Sequence, residues 1–272
     1  MQQCIATVSL AGALPEKLEA IAAAGFDGLE LFENDLLDYP GTAAEVRQRC
    51  ADLGVDIALY QPFRDFEGGA REQLPSQLER AERTFDIVQT LGCTRMLVCS
   101  NTQADASGDS AQLIDDLRQL AERAERRGLQ LGYEALAWGR QVNTYQQAWM
   151  LVREANHPAL GLVLDSFHTL ALNGDPQGIA EIPGNKIAFV QMADAPLKRM
   201  DVSQWSRHYR CFPGEGELDM VGFLQPILAT GYRGPLSLEV FSDLQDSLPA
   251  RVSAEQGLRA LRQLQQQVRA RG

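Results

Sequence analysis

The sequence predicts a single (β/α)8 barrel that spans residues 1–272. Three observations support this fold: one helix–turn–strand module recurs along the chain, its strands are short and almost wholly apolar, and no linker or low-complexity segment interrupts the series. Strands that are apolar on both faces are typical of parallel sheets covered by helices. Eight such units in succession favour a closed barrel, which ordinarily needs roughly 250 residues.

Each predicted strand after the first follows a small or left-handed residue at the point where a helix ends. The first strand is Ile5–Ala11, and the other seven lie in the joints AAAGFDGLELF, ADLGVDIALY, QTLGCTRMLVC, ERRGLQLGYEA, HPALGLVLDSF, GNKIAFVQMA and GYRGPLSLEVF. Their apolar runs of four to six residues are too short for helices. The joints therefore predict buried parallel strands.

Helices are predicted between the strands because apolar residues recur there at helical spacing. They cover Pro15–Ala24, Thr42–Leu53, Leu74–Leu91, Ser110–Arg127, Thr144–Ala155 and Met220–Ala229, and two of them begin with a threonine where an N-cap belongs. An open, doubly wound sheet is the alternative, and it normally carries a glycine-rich phosphate loop after its first strand. The first strand here runs into SLAGALPEK, which lacks GxGxxG, so the barrel is favoured.

The composition is that of an ordinary soluble globular protein. A net charge of −11 argues against a nucleic-acid partner, although local arginines could still hold a small anionic substrate. No apolar run reaches the ~20 residues of a membrane span. The five scattered cysteines form no CxxC pair, which indicates reduced thiols and a cytoplasmic location. The oligomeric state is not defined, and a homo-oligomer stays open.

Polar residues end the last four predicted strands: Glu134, Asp165, Gln191 and Glu239. A charged group within an apolar run costs on the order of several kcal/mol unless it is paired or bound to a metal. The C-terminal strand ends of a barrel share one rim, where three carboxylates would repel one another unless a cation lay among them. Oxygen ligands suit Mg²⁺ or Mn²⁺, and Co²⁺ is tolerable. The alternative is that each acid meets an arginine or caps a helix.

His168 lies three residues after Asp165, just beyond the sixth predicted strand. A histidine at the active rim is a candidate for proton transfer or substrate contact, whereas a lone histidine elsewhere is more often structural. We expect His157 to be structural, and nothing in the sequence distinguishes His208.

Two long segments do not fit the module: Leu59–Leu74 after the third strand and Ala195–Glu217 after the seventh. Long loops at this rim commonly form lids or substrate walls. They carry Arg64 and Arg210, whose guanidinium groups could hold a carboxylate or phosphate. Further candidates share these rim positions: Tyr60, Gln61 and Phe63 as an aromatic and polar wall, and Glu30 and Glu33 as weaker candidates beyond the second strand.

The motifs GFDGLELF, LGYEA, LVLDSFH, FVQMADA and PGEGELD, the last followed by GYRGPLSLEVF, resemble those of the xylose-isomerase-like barrels over nearly the whole chain. That superfamily includes sugar isomerases and epimerases, inosose dehydratases, endonuclease IV-type enzymes and 3-dehydroshikimate dehydratases. Its metal site uses Glu, Asp, His and Glu from strands five to eight. Glu134, Asp165 and Glu239 match this pattern, and Gln191 replaces the histidine, which implies a preference away from zinc.

Within the superfamily, LYQPFRDFEG, LDSFHTLALNGDP, VQMADAP and SRHYRCFPGEGELD are most similar to bacterial 3-dehydroshikimate dehydratases, which form protocatechuate in quinate and shikimate breakdown. The resemblance implies a divalent metal that stabilises an enolate. It implies His168 as the favoured base, Glu134 or Glu239 as assisting groups, and Arg64 or Arg210 as the partner of the substrate carboxylate. Several of these enzymes carry a dioxygenase-like domain after the barrel, so we expect a barrel-only member or a truncated one.

Three other functions remain open at this stage. A sugar or keto-sugar isomerase or epimerase is the nearest, and it would use Glu134 and Glu239 as paired acid and base. A DNA-repair nuclease would need several metal-binding histidines and a basic surface, whereas this chain has three histidines and a net charge of −11. A non-catalytic domain that binds a metal or a ligand is the third.

Overall fold

Eight parallel strands close into one barrel in sequence order, with β8 paired to β1. The computed structural model describes residues 1–271. The strands are β1 (Gln3–Ala6), β2 (Gly28–Phe32), β3 (Asp56–Phe63), β4 (Arg95–Cys99), β5 (Gln130–Glu134), β6 (Leu160–Asp165), β7 (Ile187–Met192) and β8 (Leu236–Leu238). The predicted (β/α)8 barrel is confirmed.

Helices connect the strands on the outside, and short helices also follow several strands at the C-terminal rim. They are α1 (Leu14–Ala24), α2 (Glu33–Leu37), α3 (Ala43–Leu53), α4 (Leu74–Thr90), α5 (Ser110–Arg126), α6 (Tyr145–Ala155), α7 (Ser166–Leu170), α8 (Val202–His208), α9 (Met220–Ala229), α10 (Asp243–Asp246) and α11 (Ala250–Arg271). The six predicted helices are confirmed to within one residue at each end. Across residues 1–271, none of the helices combines the length and the apolar character that crossing a bilayer requires.

Local signals account for the helix ends. The hydroxyl of Thr42 accepts the N–H of Glu45 at 3.3 Å, and Thr144 caps α6 in the same way through Gln147. α1 and α3 end at glycines in the left-handed region, where a side chain would be strained.

The first strand is shorter than predicted, because it ends at Ala6 and a 3-10 turn follows over Thr7–Ser9. In this turn, side-chain hydroxyl groups replace the backbone as acceptors for N–H groups of the neighbouring segments. Thr7 Oγ1 accepts the N–H of Phe32 at 3.1 Å, and Ser9 Oγ accepts the N–H of Val240 at 2.8 Å. Side-chain bonds of this kind compete with the regular ladder of a strand.

Side chains alternate along each strand between the barrel interior and the layer beneath the helices. Tyr133 points outward, whereas its neighbour Glu134 lies opposite Cys99 of β4 and points inward. The interior is filled by a small apolar group made of Cys4, Ala58, Leu59, Leu97, Cys99, Leu136, Val163 and Phe189. Cys99 of this group lies opposite Glu134, so the apolar group fills the interior up to the level of the polar strand ends.

The buried carboxylate of Asp194 fixes the long loop after β7. It accepts the backbone N–H groups of Gly214, Gly216 and Leu218 at 2.9 to 3.0 Å. Asp194 also pairs with Cys211 in an isolated antiparallel bridge. Together these bonds fold the loop back over the barrel and carry the preceding residue, Arg210, into the barrel mouth.

A second buried carboxylate, Glu67, fixes the loop after β3. Its Oε1 accepts the N–H of Asn101 at 2.6 Å and the hydroxyl of Tyr133 at 2.9 Å. Burial raises the pKa of Glu67 to about 7, although these hydrogen bonds favour the charged form. The loop that carries Arg64 is therefore held by a carboxyl group that titrates near neutrality.

This pKa shift has a consequence for stability. The folded protein binds the Glu67 proton more tightly than the unfolded chain, whose reference pKa is 4.5. The free energy of unfolding should therefore fall by roughly 3 kcal/mol from this group as pH rises from about 4.5 to 7. In urea unfolding at pH 5 and pH 8, Glu67→Gln should lose this part of the pH dependence. The exposed Glu72→Gln should keep it, and an unchanged pH dependence in Glu67→Gln would refute the assignment.

Candidate active site

The four predicted strand-end residues meet at the C-terminal rim. Glu134 ends β5, Asp165 ends β6, Gln191 lies in β7 and Glu239 directly follows β8. All four are buried. Asp165 is paired with Gln191 across β6 and β7, so the two side chains lie on the same face of the sheet.

Arg210 is the counterion of this rim. Its Nη1 donates to Asp165 Oδ2 at 2.9 Å and to Glu239 Oε2 at 3.0 Å, and Nε and Nη2 both donate to Ser206 Oγ. The side chain is 1% exposed. Its donors are committed inside the protein, so the structure does not offer Arg210 as a free partner for a substrate. For Asp165 and Glu239, the alternative that rim acids meet an arginine is realised.

Charge and hydrogen bonding at the rim remain incomplete. Three carboxylates and one guanidinium leave a formal charge of −2. Within the described part of the chain, Glu134 Oε1 and Gln191 Oε1 are buried without a hydrogen-bond partner. Glu134, Asp165 and His168 can each bring one ligand atom within 4.8 Å of the others. Orphaned oxygens beside a net negative charge fit a divalent cation.

The buried His168 ring contacts the rim through both nitrogens. Nδ1 accepts the backbone N–H of Ala137 at 3.0 Å, while Nε2 lies 3.8 Å from Glu134 Oε1 and 3.2 Å from Arg210 Nη2. Burial lowers the pKa of His168 to about 3; Arg210 and Arg64 lower it too, against the influence of Asp165. A neutral imidazole accepts at one nitrogen only. Because Nδ1 accepts from an amide that cannot turn, Nε2 carries the hydrogen; of its two rim neighbours only Glu134 Oε1 can accept it, since Arg210 Nη2 is itself a donor.

The three acids are electrostatically unequal. Burial, followed by repulsion from Glu239 and Asp165, raises the pKa of Glu134 well above its usual range. Burial also raises the pKa of Glu239, although Arg210 opposes it. Burial works against the charged form of Asp165 as well, yet Arg210 and His168 hold its pKa below its usual range. Asp165 is therefore the most firmly ionised of the three.

A small cavity opens above these residues. Its walls come from the rim, from the loop after β3 and from α8: Gln61, Arg64, Leu97, Cys99, Glu134, Leu136, Trp138, His168, Ser206, Arg207, Arg210, Glu239 and Phe241. It holds about 20 Å³ of free space, the room of roughly one water molecule.

The predicted substrate wall is only partly present. Gln61 and the half-buried Arg64 line the cavity. Tyr60 does not, because it belongs to the core outside the barrel, where its hydroxyl donates to Glu33 Oε1 at 3.4 Å. Phe63 also lies in that outer core, beneath the guanidinium of Arg80. Adjacent strand residues point to opposite faces, so Tyr60 and Gln61 cannot both face the site.

Sequence reasoning missed seven of the thirteen residues that line the cavity, including three that contact Glu134, His168 or Arg210. Cys99 ends β4 at the position that Glu134 occupies in β5, and its Sγ lies 3.5 Å from Glu134 Oε2; the strand-end pattern could have found it. Trp138 packs edge-on against the His168 ring at 5.0 Å between centroids. Ser206 binds Arg210. Trp138 lies in a turn, and Ser206 lies in α8, which is not among the predicted helices.

Comparison with known proteins is consistent with this architecture. The model of the xylose isomerase-like TIM barrel family matches residues 18–264, which include all four strand-end residues. A Pseudomonas putida protein named 3-dehydroshikimate dehydratase is 67% identical over 271 residues, and a Pseudomonas aeruginosa protein of the same name is 66% identical over 269. These matches cover 100% and 99% of this chain but 43% and 42% of the relatives, so the chain spans less than half their length.

A solved structure shows the same relation. It is a "xylose isomerase-like TIM barrel/4-hydroxyphenylpyruvate dioxygenase fusion protein" that is 67% identical to this chain. It superposes with a TM-score of 0.98 over 100% of this chain and 43% of its own.

The counterion role of Arg210 can be tested by stability. Arg210→Met removes the charge but keeps much of the volume, and it leaves Asp165 and Glu239 buried without their shared partner. In urea unfolding at pH 8 with a chelator, the free energy of unfolding should fall by about 3–5 kcal/mol. The exposed Arg207→Met, in α8, is the matched control and should change it little. Equal losses in the two variants would contradict the role.

Proposed function

The chain belongs to the xylose isomerase-like TIM barrel family, and from this we propose that it is a metal-dependent dehydratase that converts 3-dehydroshikimate to protocatechuate. The observation that carries the proposal is 67% identity over 271 residues to a protein named for that substrate. The acidic rim and its cavity lie entirely within the matched residues. The reaction is proposed for the barrel itself, because the chain spans only 43% of that relative.

The reaction removes a proton from the carbon next to a ketone and expels a hydroxyl group from the following carbon. The electron pair of the broken C–H bond forms the new double bond, and the hydroxyl leaves with a proton as water. Loss of water from the ring gives an aromatic product after enolisation of the ketone. The site must therefore accept one proton, donate another and stabilise negative charge on the ketone oxygen.

The residues that would hold a divalent metal are Glu134, Asp165, Gln191 and Glu239. The orphaned oxygens of Glu134 and Gln191 and the formal charge of −2 support this set. His168 is a weaker ligand candidate because its Nε2 carries a hydrogen. A bound Mg²⁺, Mn²⁺ or Co²⁺ would supply Lewis acidity toward the substrate oxygens.

The hydrogen-bond pattern favours a role for His168 as a hydrogen-bond donor over the expected role as base, because the neutral ring has one N–H to offer and Nδ1 is already occupied. His168 lines the cavity, and its Nε2–H lies 3.8 Å from Glu134 Oε1, where it can bind the departing hydroxyl. Among the carboxylates, Glu239 is engaged by Arg210 at 3.0 Å, whereas Glu134 Oε1 has no hydrogen-bond donor within the described residues. Glu134 is therefore the proton acceptor that the geometry supports once a bound cation offsets the burial and repulsion that raise its pKa.

Arg64 is the proposed partner of the substrate carboxylate. It lines the cavity and is half-buried, and among the described residues no carboxylate lies within ion-pair distance of its guanidinium. A planar guanidinium can hold a carboxylate through two parallel hydrogen bonds. Arg210 cannot take this role without leaving Asp165 and Glu239.

The isomerase alternative fits the site less well. A sugar isomerase or epimerase that used Glu134 and Glu239 as paired acid and base would need two comparable carboxylates. Here Arg210 neutralises Glu239 and leaves Glu134 unpaired. This asymmetry supports a reaction in which the two acids have different tasks.

One assay tests the function. Protein freed of metal by a chelator is incubated with 3-dehydroshikimate and Mg²⁺, Mn²⁺ or Co²⁺, and the near-ultraviolet absorbance of a catechol acid is followed. Aromatic product should appear only with metal. Its absence with every metal would reject the dehydratase. Product formed in chelator would reject the metal requirement, and turnover of a keto-sugar alone would favour the isomerase.

A second experiment separates the two roles of His168. His168→Gln keeps an N–H donor but cannot act as a base, whereas His168→Ala has neither. If His168 donates, His168→Gln should retain at least about tenfold more activity than His168→Ala, which should lose about 10²–10⁴-fold. Metal content, measured in parallel, should be unchanged in both variants. Equal loss in the two variants would restore His168 as the base.

A further inference from the structure

We propose that Glu30 is a positioning residue that sets the amide orientation of Gln191, so that Gln191 presents its carbonyl oxygen to the metal. The inference rests on the proposed metal site, and it concerns a residue outside the proposed ligand set. Glu30 lies in β2 and Gln191 in β7, so the contact crosses the barrel interior instead of joining neighbouring strands.

One carboxylate oxygen of Glu30 accepts hydrogen bonds from two glutamine side chains. Its Oε2 accepts the amide Nε2 of Gln191 at 2.7 Å and that of Gln61 at 2.9 Å. Glu30 is 0% exposed, so no bulk water competes for these bonds. Burial, followed by repulsion from Glu239, raises the pKa of Glu30 well above its usual range. Oε2 is the acceptor in either protonation state, because two N–H groups already point at it.

A glutamine amide has a donor end and an acceptor end of nearly the same shape. Only the oxygen can bind a cation, so a glutamine ligand needs a neighbour that selects one orientation. Glu30 does this, since its oxygen attracts the NH₂ end of Gln191 and would repel the carbonyl end. Gln191 Oε1 is then left buried without a hydrogen-bond partner in the described structure.

The position also explains why an acid is required at residue 30. A glutamine there could donate its own NH₂ group to Gln191 Oε1, which would allow the Gln191 amide to turn and present nitrogen to the metal. Partners that orient a metal ligand in this way typically contribute about 10- to 100-fold to metal affinity. A glutamine at residue 191 can therefore serve as an oxygen ligand only while Glu30 holds its NH₂ group.

The test measures Mn²⁺ affinity by equilibrium dialysis, without substrate, on variants whose folding is checked by circular dichroism. Glu30→Gln should bind Mn²⁺ about 10- to 100-fold more weakly than the unchanged protein. Exchanging the two residues, Glu30→Gln with Gln191→Glu, reverses the hydrogen bond and again gives residue 191 an oxygen to present. This double variant should regain at least about tenfold of the lost affinity.

A matched control removes one carboxylate charge from the same part of the chain. Glu33→Gln, in α2, should change the affinity less than about threefold, because Glu33 contacts Tyr60 and not Gln191. The proposal is overturned if Glu30→Gln binds as tightly as the unchanged protein, if Glu33→Gln weakens binding equally, or if the exchange restores nothing. Failure of the unchanged protein to bind Mn²⁺ would instead reject the metal site. Tight binding without dehydration would reject only the proposed reaction.

Discussion

The guanidinium of Arg210 is the interaction on which the acidic rim depends. It is buried between Asp165 and Glu239 and acts to lower the pKa of both carboxylates against the effect of burial. The loop that delivers Arg210 is itself held by four backbone N–H groups on the buried Asp194, including that of Ala195. Arg210 therefore links the conformation of the loop after β7 to the charge of the rim and to the shape of the cavity.

Arg210 also makes the three acids unequal, because it pairs with Asp165 and Glu239 but not with Glu134. It neutralises part of the rim but leaves a formal charge of −2 and the unpaired oxygens of Glu134 and Gln191. A divalent ion would complete the balance, and Glu30 behind Gln191 would determine which amide atom that ion meets. The negative charge of the rim calls for a cation, and the oxygen ligands around it favour hard, oxygen-preferring ions.

Strand periodicity explains how much of this could be predicted. The periodicity predicts the rim acids, because each acid ends an apolar strand and all parallel strands of a barrel finish at one edge. Tyr60 shows the limit. It adjoins Gln61, and only the observed register, which places it beside Leu31 in the outer layer, decides which of the two faces inward. The role of Arg210 and the tautomer of His168 depend on contacts 45 and 31 residues away in the chain, formed in part by irregular segments.

The position of a bound ion is the most direct test of the proposed metal site. Diffraction data from crystals soaked in Mn²⁺, collected near the manganese absorption edge, would locate it by anomalous scattering. We expect one peak per chain, ligated by oxygens of Glu134, Asp165, Gln191 and Glu239, with Gln191 still hydrogen-bonded to Glu30 through its nitrogen. A peak ligated by His168 Nε2, or no peak at the rim, would contradict this expectation.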